Sequence, residues 1–191
     1  RPPIGSRITT PSRRLESGFG SPLGWVTGMR YQGGKLRVRE DIAALLETLS
    51  RRTGLLELED RFCGSLAPSR GVYAYGGSLS PTIAEDGCAA LIAMYQAVKN
   101  GWEPPRSLNG DQWKAVANGP RRPQDPMTAF VGFFCSYGGS FFRAWLPDDL
   151  RHAEGTSSRS AALKACQDLQ RLKPLLAQLE LRVGGGWGAP D

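Results

Sequence analysis

Three short stretches carry residues whose types and order suit ligand chemistry. The first is Tyr31-Gln32-Gly33-Gly34-Lys35. Paired glycines let backbone N–H groups approach a ligand closely, and the lysine adds a positive charge. A Walker phosphate loop also needs an earlier glycine and a Ser or Thr after the lysine; Met29 and Leu36 stand there instead. The second is Asp60-Arg61-Phe62-Cys63-Gly64-Ser65, which follows a short apolar run. An acid at a strand's carboxyl end, followed by a glycine turn, is where α/β sheets bind ligands. A capped turn with no ligand is the simpler reading of the same residues. The third is Glu85-Asp86, just ahead of an apolar helix. An acid there can hold ribose hydroxyls or interact with the helix dipole.

These stretches need elements to position them. Ile42, Leu45, Leu46 and Leu49 recur at i, i+3, i+4, i+7, which predicts a helix from Asp41, ended by Arg51, Arg52 and Gly54. Leu55 to Glu59 reads as a short strand that breaks at Asp60, and a variable piece follows. Ala89 to Lys99 places Leu91, Ile92, Tyr95 and Val98 on one face and closes at Asn100-Gly101. A short helix is expected over Asp111 to Asn118, and Met127 to Phe134 is apolar. Ser157-Ser158 can cap a helix aligning Leu163, Cys166, Leu169 and Leu172, with Pro174 breaking or kinking it. Leu179 to Val183 resembles a returning strand. The expected fold class is α/β, with a doubly wound sheet.

Composition bounds the alternatives. The 191 residues fit one domain with an insertion. Hydrophobic residues at 40% and charged residues at 22% argue against wholesale disorder. A formal charge of +6 suits nucleic acid or another polyanion, and equally a basic protein with no such partner. Cys63, Cys88, Cys135 and Cys166 form no Cys-x-x-Cys, and His152 is the single histidine, so neither a zinc site nor a Ser-His-Asp site is expected. Reduced thiols are the default. The longest uncharged stretch, Pro126 to Phe142, is 17 residues and is interrupted by glycines, so no membrane span is expected.

In order, Met29-Arg30-Tyr31-Gln32-Gly33-Gly34-Lys35, Asp60-Arg61-Phe62-Cys63-Gly64 and Asp86 before Ala90 to Val98 resemble the Dam-type DNA adenine methyltransferases, especially short phage-borne members. Asn100 to Pro105 and Ala129 to Gly139 extend the likeness, which covers Met29 to Val183. The resemblance implies a Rossmann-like methyltransferase sheet that binds S-adenosylmethionine, with a mostly helical target-recognition insertion. It implies that Tyr31, Gly33, Gly34 and Lys35 form the N-terminal cofactor motif. Asp60, Phe62 and Gly64 would receive the methionine part, and Asp86 the ribose hydroxyls. On the DNA side it points to Ser136, Tyr137, Gly139 and Arg143, the arginine holding a phosphate or reading a guanine edge. Core packing is the preferred reading for most of Phe133, Phe134, Phe141 and Phe142.

The implied layout is a leader over 1–28, disordered or read through, a cofactor-binding part over 29–100, the insertion over 101–159, a return to the sheet over 160–183 and a Gly-rich end over 184–191. The implied activity is methyl transfer from S-adenosylmethionine to the exocyclic amine of adenine in double-stranded DNA, by a monomer in the cytoplasm of a bacterium or phage-infected host. The family's Asp-Pro-Pro-Tyr motif, which holds that amine, has no counterpart here: Glu103-Pro104-Pro105-Arg106 puts arginine where the aromatic belongs. Arg61, Ser65 and Cys88 also depart from the family's pattern. The chain therefore reads as a truncated or decayed copy, inactive alone, with no catalytic residue assigned. The alternatives are a non-catalytic DNA-binding remnant and a nucleotide-binding α/β protein of another class.

Overall fold

A computed structural model describes residues 35–120, 122–136, 140–143 and 161–184. Tyr31, Gly33, Gly34, Tyr137, Gly139, the 1–28 leader, Ser157-Ser158 and all of the Gly-rich end except Gly184 lie outside the described residues.

The chain is mixed α/β. A 3-10 turn, Leu36–Val38, leads into α1, Arg39–Thr53. Glu40 and Asp41 in its first turn and Arg51 and Arg52 in its last complement the helix dipole. Gly54 ends it at φ 74°, a left-handed conformation that glycine adopts without steric cost. Strand β1, Glu57–Asp60, follows. The variable piece after it holds two elements that the sequence reading did not resolve, α2, Ala67–Tyr75, and most of β2, Ser80–Asp86. Helix α3 spans Ala89–Lys99, as its periodicity predicts.

The described part of 101–159 carries short helices joined by irregular segments. Helix α4, Gly110–Asn118, begins with a reciprocal capping box between Asn109 and Gln112. Helix α5, Pro126–Ala129, is capped by Asp125 and runs into a π-helical turn, Phe130–Phe134. Helix α6, Ala161–Gln178, continues through Pro174, and β3, Glu180–Val183, closes the described chain.

The three strands form one parallel sheet in the order β1-β2-β3. Helix α2 connects β1 to β2; α3, the insertion and α6 connect β2 to β3. The order steps in one direction, so the reversal that defines a doubly wound sheet is absent among the described strands. The carboxyl ends of β1 and β2 lie side by side, which places Asp60 next to the end of the strand that carries Asp86.

One core runs through the insertion. Leu91, Tyr95 and Val98 of α3 pack in the same cluster as Phe130, Val131 and Phe134, and as Leu169, Leu172 and Leu176 of α6. Phe133 and Phe134 are buried, which agrees with the core reading of the aromatics. Phe141 is borderline exposed but stacks against Phe133, with ring centroids 4.8 Å apart.

Helix α1 turns a different face inward from the one its leucines mark. Ala43, Glu47 and Ser50 are buried, while Leu45 and Leu49 are 61% and 46% exposed. The reason is a close approach of α1 to α2. At Gly71 a Cβ would stand 2.5 Å from the Arg39 carbonyl oxygen, so only glycine fits at this point of the contact.

Candidate ligand cleft at the carboxyl ends of the strands

The site is built on the loop between β1 and α2. Asp60 ends β1 and is buried. The Cys63 N–H donates to the Glu85 carbonyl at 2.9 Å, which ties the loop to β2. Gly64 follows at φ 42° and Leu66 at φ 58°, two left-handed residues that fold the chain tightly into α2. For Gly64 that conformation costs nothing; for Leu66 it costs on the order of 1–2 kcal/mol, which the surrounding packing must hold.

Asp86 fixes the loop from below. Its Oδ2 accepts from the Gly64 N–H at 2.9 Å, and its Oδ1 accepts from the Cys88 N–H at 2.9 Å. An ionised carboxylate has about four lone-pair positions, so each oxygen retains room for one further donor. Tyr95 fixes the loop from behind: its hydroxyl donates to the Gly64 carbonyl at 2.6 Å. Asp60 accepts from the Ser69 hydroxyl at 2.8 Å and from the Ser69 N–H in the first turn of α2. Ser69 and Tyr95 escape a sequence reading because their partners lie 9 and 31 residues away. Tyr95 carries an apolar-face signal that reads only as core.

An open cleft of about 830 Å³ lies over this loop. Its lining includes Lys35, Asp60, Phe62, Gly64 and Asp86, which are all the described residues among the eight expected to hold a cofactor. Ile42 and Leu46 of α1 and Leu58 of β1 form an apolar wall that the sequence did not single out as part of a site. Phe62 is 57% exposed at the mouth.

The electrostatics favour binding over nucleophilic chemistry by the protein itself. Burial raises the Asp60 carboxyl above its usual range, opposed by the Ser69 hydrogen bonds and reinforced by the charge of Asp86. Burial, with Asp86 and Asp60 nearby, pushes the Cys63 thiol far up, so it stays protonated and is a poor nucleophile. The two carboxylates can accept from hydroxyls or amines, and the apolar wall suits a planar or aliphatic group.

The DNA-side residues fall in a different place. Ser136 is buried; its hydroxyl donates to the Val131 carbonyl at 2.9 Å and accepts from the Trp113 indole N–H at 3.1 Å. Its hydrogen bonds therefore serve packing within the insertion, where it has no exposed face for a duplex. Arg143 is exposed. Among the described residues no group of three or more His, Cys, Asp or Glu could hold a metal ion, and no helix is long and apolar enough to cross a membrane. No family model, curated protein or solved structure matches the chain.

Proposed function

We propose that the cleft binds S-adenosylmethionine and that the chain is the cofactor-binding and target-recognition part of a DNA adenine methyltransferase with a Rossmann-like sheet. One observation carries this reading: Lys35, Asp60, Phe62, Gly64 and Asp86, distant in sequence and singled out by motif, line a single cleft at the strands' carboxyl ends. The strand order β1-β2-β3 supports it, because one half of a doubly wound sheet steps in this way.

The residues fit the ligand. A cleft of about 830 Å³ lies within the usual range for small-molecule sites. When bound, S-adenosylmethionine supplies a methyl group on a sulfonium, open to displacement by an amine. Asp86 would accept from ribose hydroxyls with the lone pairs that Gly64 and Cys88 leave unused. Asp60 would accept from the amino group, and Lys35 would face the carboxylate. Gly64, lacking a side chain, would let the ligand approach the loop backbone.

Methyl transfer needs more than this cleft. The adenine amine is buried in the duplex stack, so the base must be flipped out at a cost of a few kcal/mol. No Asp-Pro-Pro-aromatic exists in residues 1–191 to receive it. We expect the polypeptide 1–191 to bind the cofactor and duplex DNA without turnover. DNA affinity should fall with salt by a slope of about −0.9 per phosphate neutralised, and Arg143→Ala should weaken it. The test is a ligand panel read by thermal shift, together with tritiated methyl incorporation into adenine-containing duplex. Stabilisation by S-adenosylmethionine and S-adenosylhomocysteine, but not by ATP or NAD, supports the reading. Stabilisation by ATP or NAD alone would assign the cleft to another class of nucleotide protein, and robust methyl incorporation would overturn the expected inactivity.

A further inference from the structure

We infer that Tyr95 is a positioning residue for the cleft: its hydroxyl sets the orientation of the Gly64–Ser65 peptide and, through it, the conformation of the loop and its affinity for the bound ligand. The inference rests on the cofactor reading for the ligand's identity and on the geometry alone for the positioning.

Gly64 is held through both of its backbone polar groups, which belong to successive peptide units. Its N–H donates to Asp86 Oδ2 at 2.9 Å and its carbonyl accepts from the Tyr95 hydroxyl at 2.6 Å. At φ 42°, with Leu66 also left-handed two residues on, the loop departs from an ordinary extended or helical path, so local propensity does not hold it in place. The tyrosine reaches it from the middle of α3 and is fully buried. Its phenol stays protonated because burial raises its pKa well above the usual value, so it is a permanent donor at this carbonyl.

A buried ion pair lies near the tyrosine. Arg70 of α2 and Asp168 of α6, within electrostatic reach of the phenol, form a bidentate pair at 2.9 and 3.2 Å, both side chains 1% exposed. The pair anchors α2, the helix that the cleft loop opens, to α6. A hydroxyl bonded to the carbonyl of a left-handed loop residue has a more specific task than filling core volume, which phenylalanine would do equally well.

The test compares the full chain with Tyr95→Phe and with Ser50→Ala. The second variant removes another buried hydroxyl, one that bonds the Leu55 carbonyl in the α1–β1 connection. Amide hydrogen exchange at Gly64 and Ser65 is read by NMR, and S-adenosylhomocysteine affinity by calorimetry. Tyr95→Phe is expected to speed exchange at Gly64 by about tenfold and weaken binding by a similar factor, the size of one lost buried hydrogen bond. Ser50→Ala is expected to change neither. Equal behaviour of the two variants, or unchanged Gly64 exchange in Tyr95→Phe, would overturn the inference. If the wild-type protein binds no S-adenosylhomocysteine, the cofactor reading fails, and the exchange data still decide the positioning role. The unaltered protein supplies a check that does not depend on the variant folding. A slowly exchanging Tyr95 hydroxyl proton with a cross-peak to Gly64 or Ser65 supports the bond, and its absence contradicts it.

Discussion

Asp60 and Glu47 are both buried carboxylates, and their surroundings drive them in opposite directions. Asp60 is raised by burial, so folding disfavours its charged form; the cost appears as pH rises from its unfolded value of 3.8 through the folded one. Asn in its place keeps an acceptor for Ser69 and removes the charge. Asp60→Asn should therefore melt at or above the wild-type temperature at pH 7, with the gap closing as pH falls toward 4, in scans of both proteins. Ligand affinity should drop in the same variant. Glu47 accepts from the Ser78 N–H and hydroxyl and from the Leu79 N–H, and these bonds lower its carboxyl to about 2. Its stabilising contribution is full above its ordinary value of 4.5 and is lost as pH falls toward 2. Glu47→Gln should lower the melting temperature at pH 7, and the difference from wild type should vanish across that window. The motif residues of the cleft are legible one by one, because Asp and Gly after a strand have a stated use. Their partners Ser69 and Tyr95, and Glu47 on α1 with its partners Ser78 and Leu79, are not, because each acts through a contact that only the tertiary fold creates.

At the scale of elements, periodicity identified helices well and faces less well. Helix α3 matches its predicted span, since its apolar face and its core contacts coincide. Helix α1 has an equally clear apolar stripe, but tertiary contact overrides it. Glu47 and Ser50 form buried hydrogen bonds, and Gly71 admits the Arg39 backbone, so the helix rotates and leaves Leu45 and Leu49 outside. The double variant Leu45→Glu, Leu49→Glu should then leave the melting temperature within a few degrees of wild type, as exposed substitutions do. A collapse in circular dichroism melts would place those leucines in the core instead. Pro174 does not break the last helix: α6 continues past it, with Leu172, Leu175 and Leu176 all buried around it. Apolar burial on both sides offsets the lost backbone hydrogen bond. Helix α2 was not read at all: Ala67-Pro68-Ser69-Arg70-Gly71 has weak helix propensity, and its stability comes from Asp60 at its start and α1 along its side.

At the scale of the molecule, strand order and the shared core make the insertion part of one cooperative unit, since α3, the π-helical turn and α6 bury the same leucines and phenylalanines. A sequence divides such a chain by motif, not by core, and the division expected at residue 101 does not interrupt the core, which joins Val98 to Trp102 and Leu108. Residues 1–28 show no periodic apolar face, so their deletion should leave the melting temperature unchanged, and a clear drop would show that they pack. The proposed site joins Lys35, Asp60, Gly64 and Asp86 around one S-adenosylmethionine molecule, and calorimetric titration of that ligand into the wild-type chain, Lys35→Ala and Asp86→Ala decides whether it does. Saturable one-site binding to the wild type is expected, with weaker binding to Lys35→Ala and none to a folded Asp86→Ala. No heat with a folded wild-type sample, or unchanged affinity in Asp86→Ala, would contradict it.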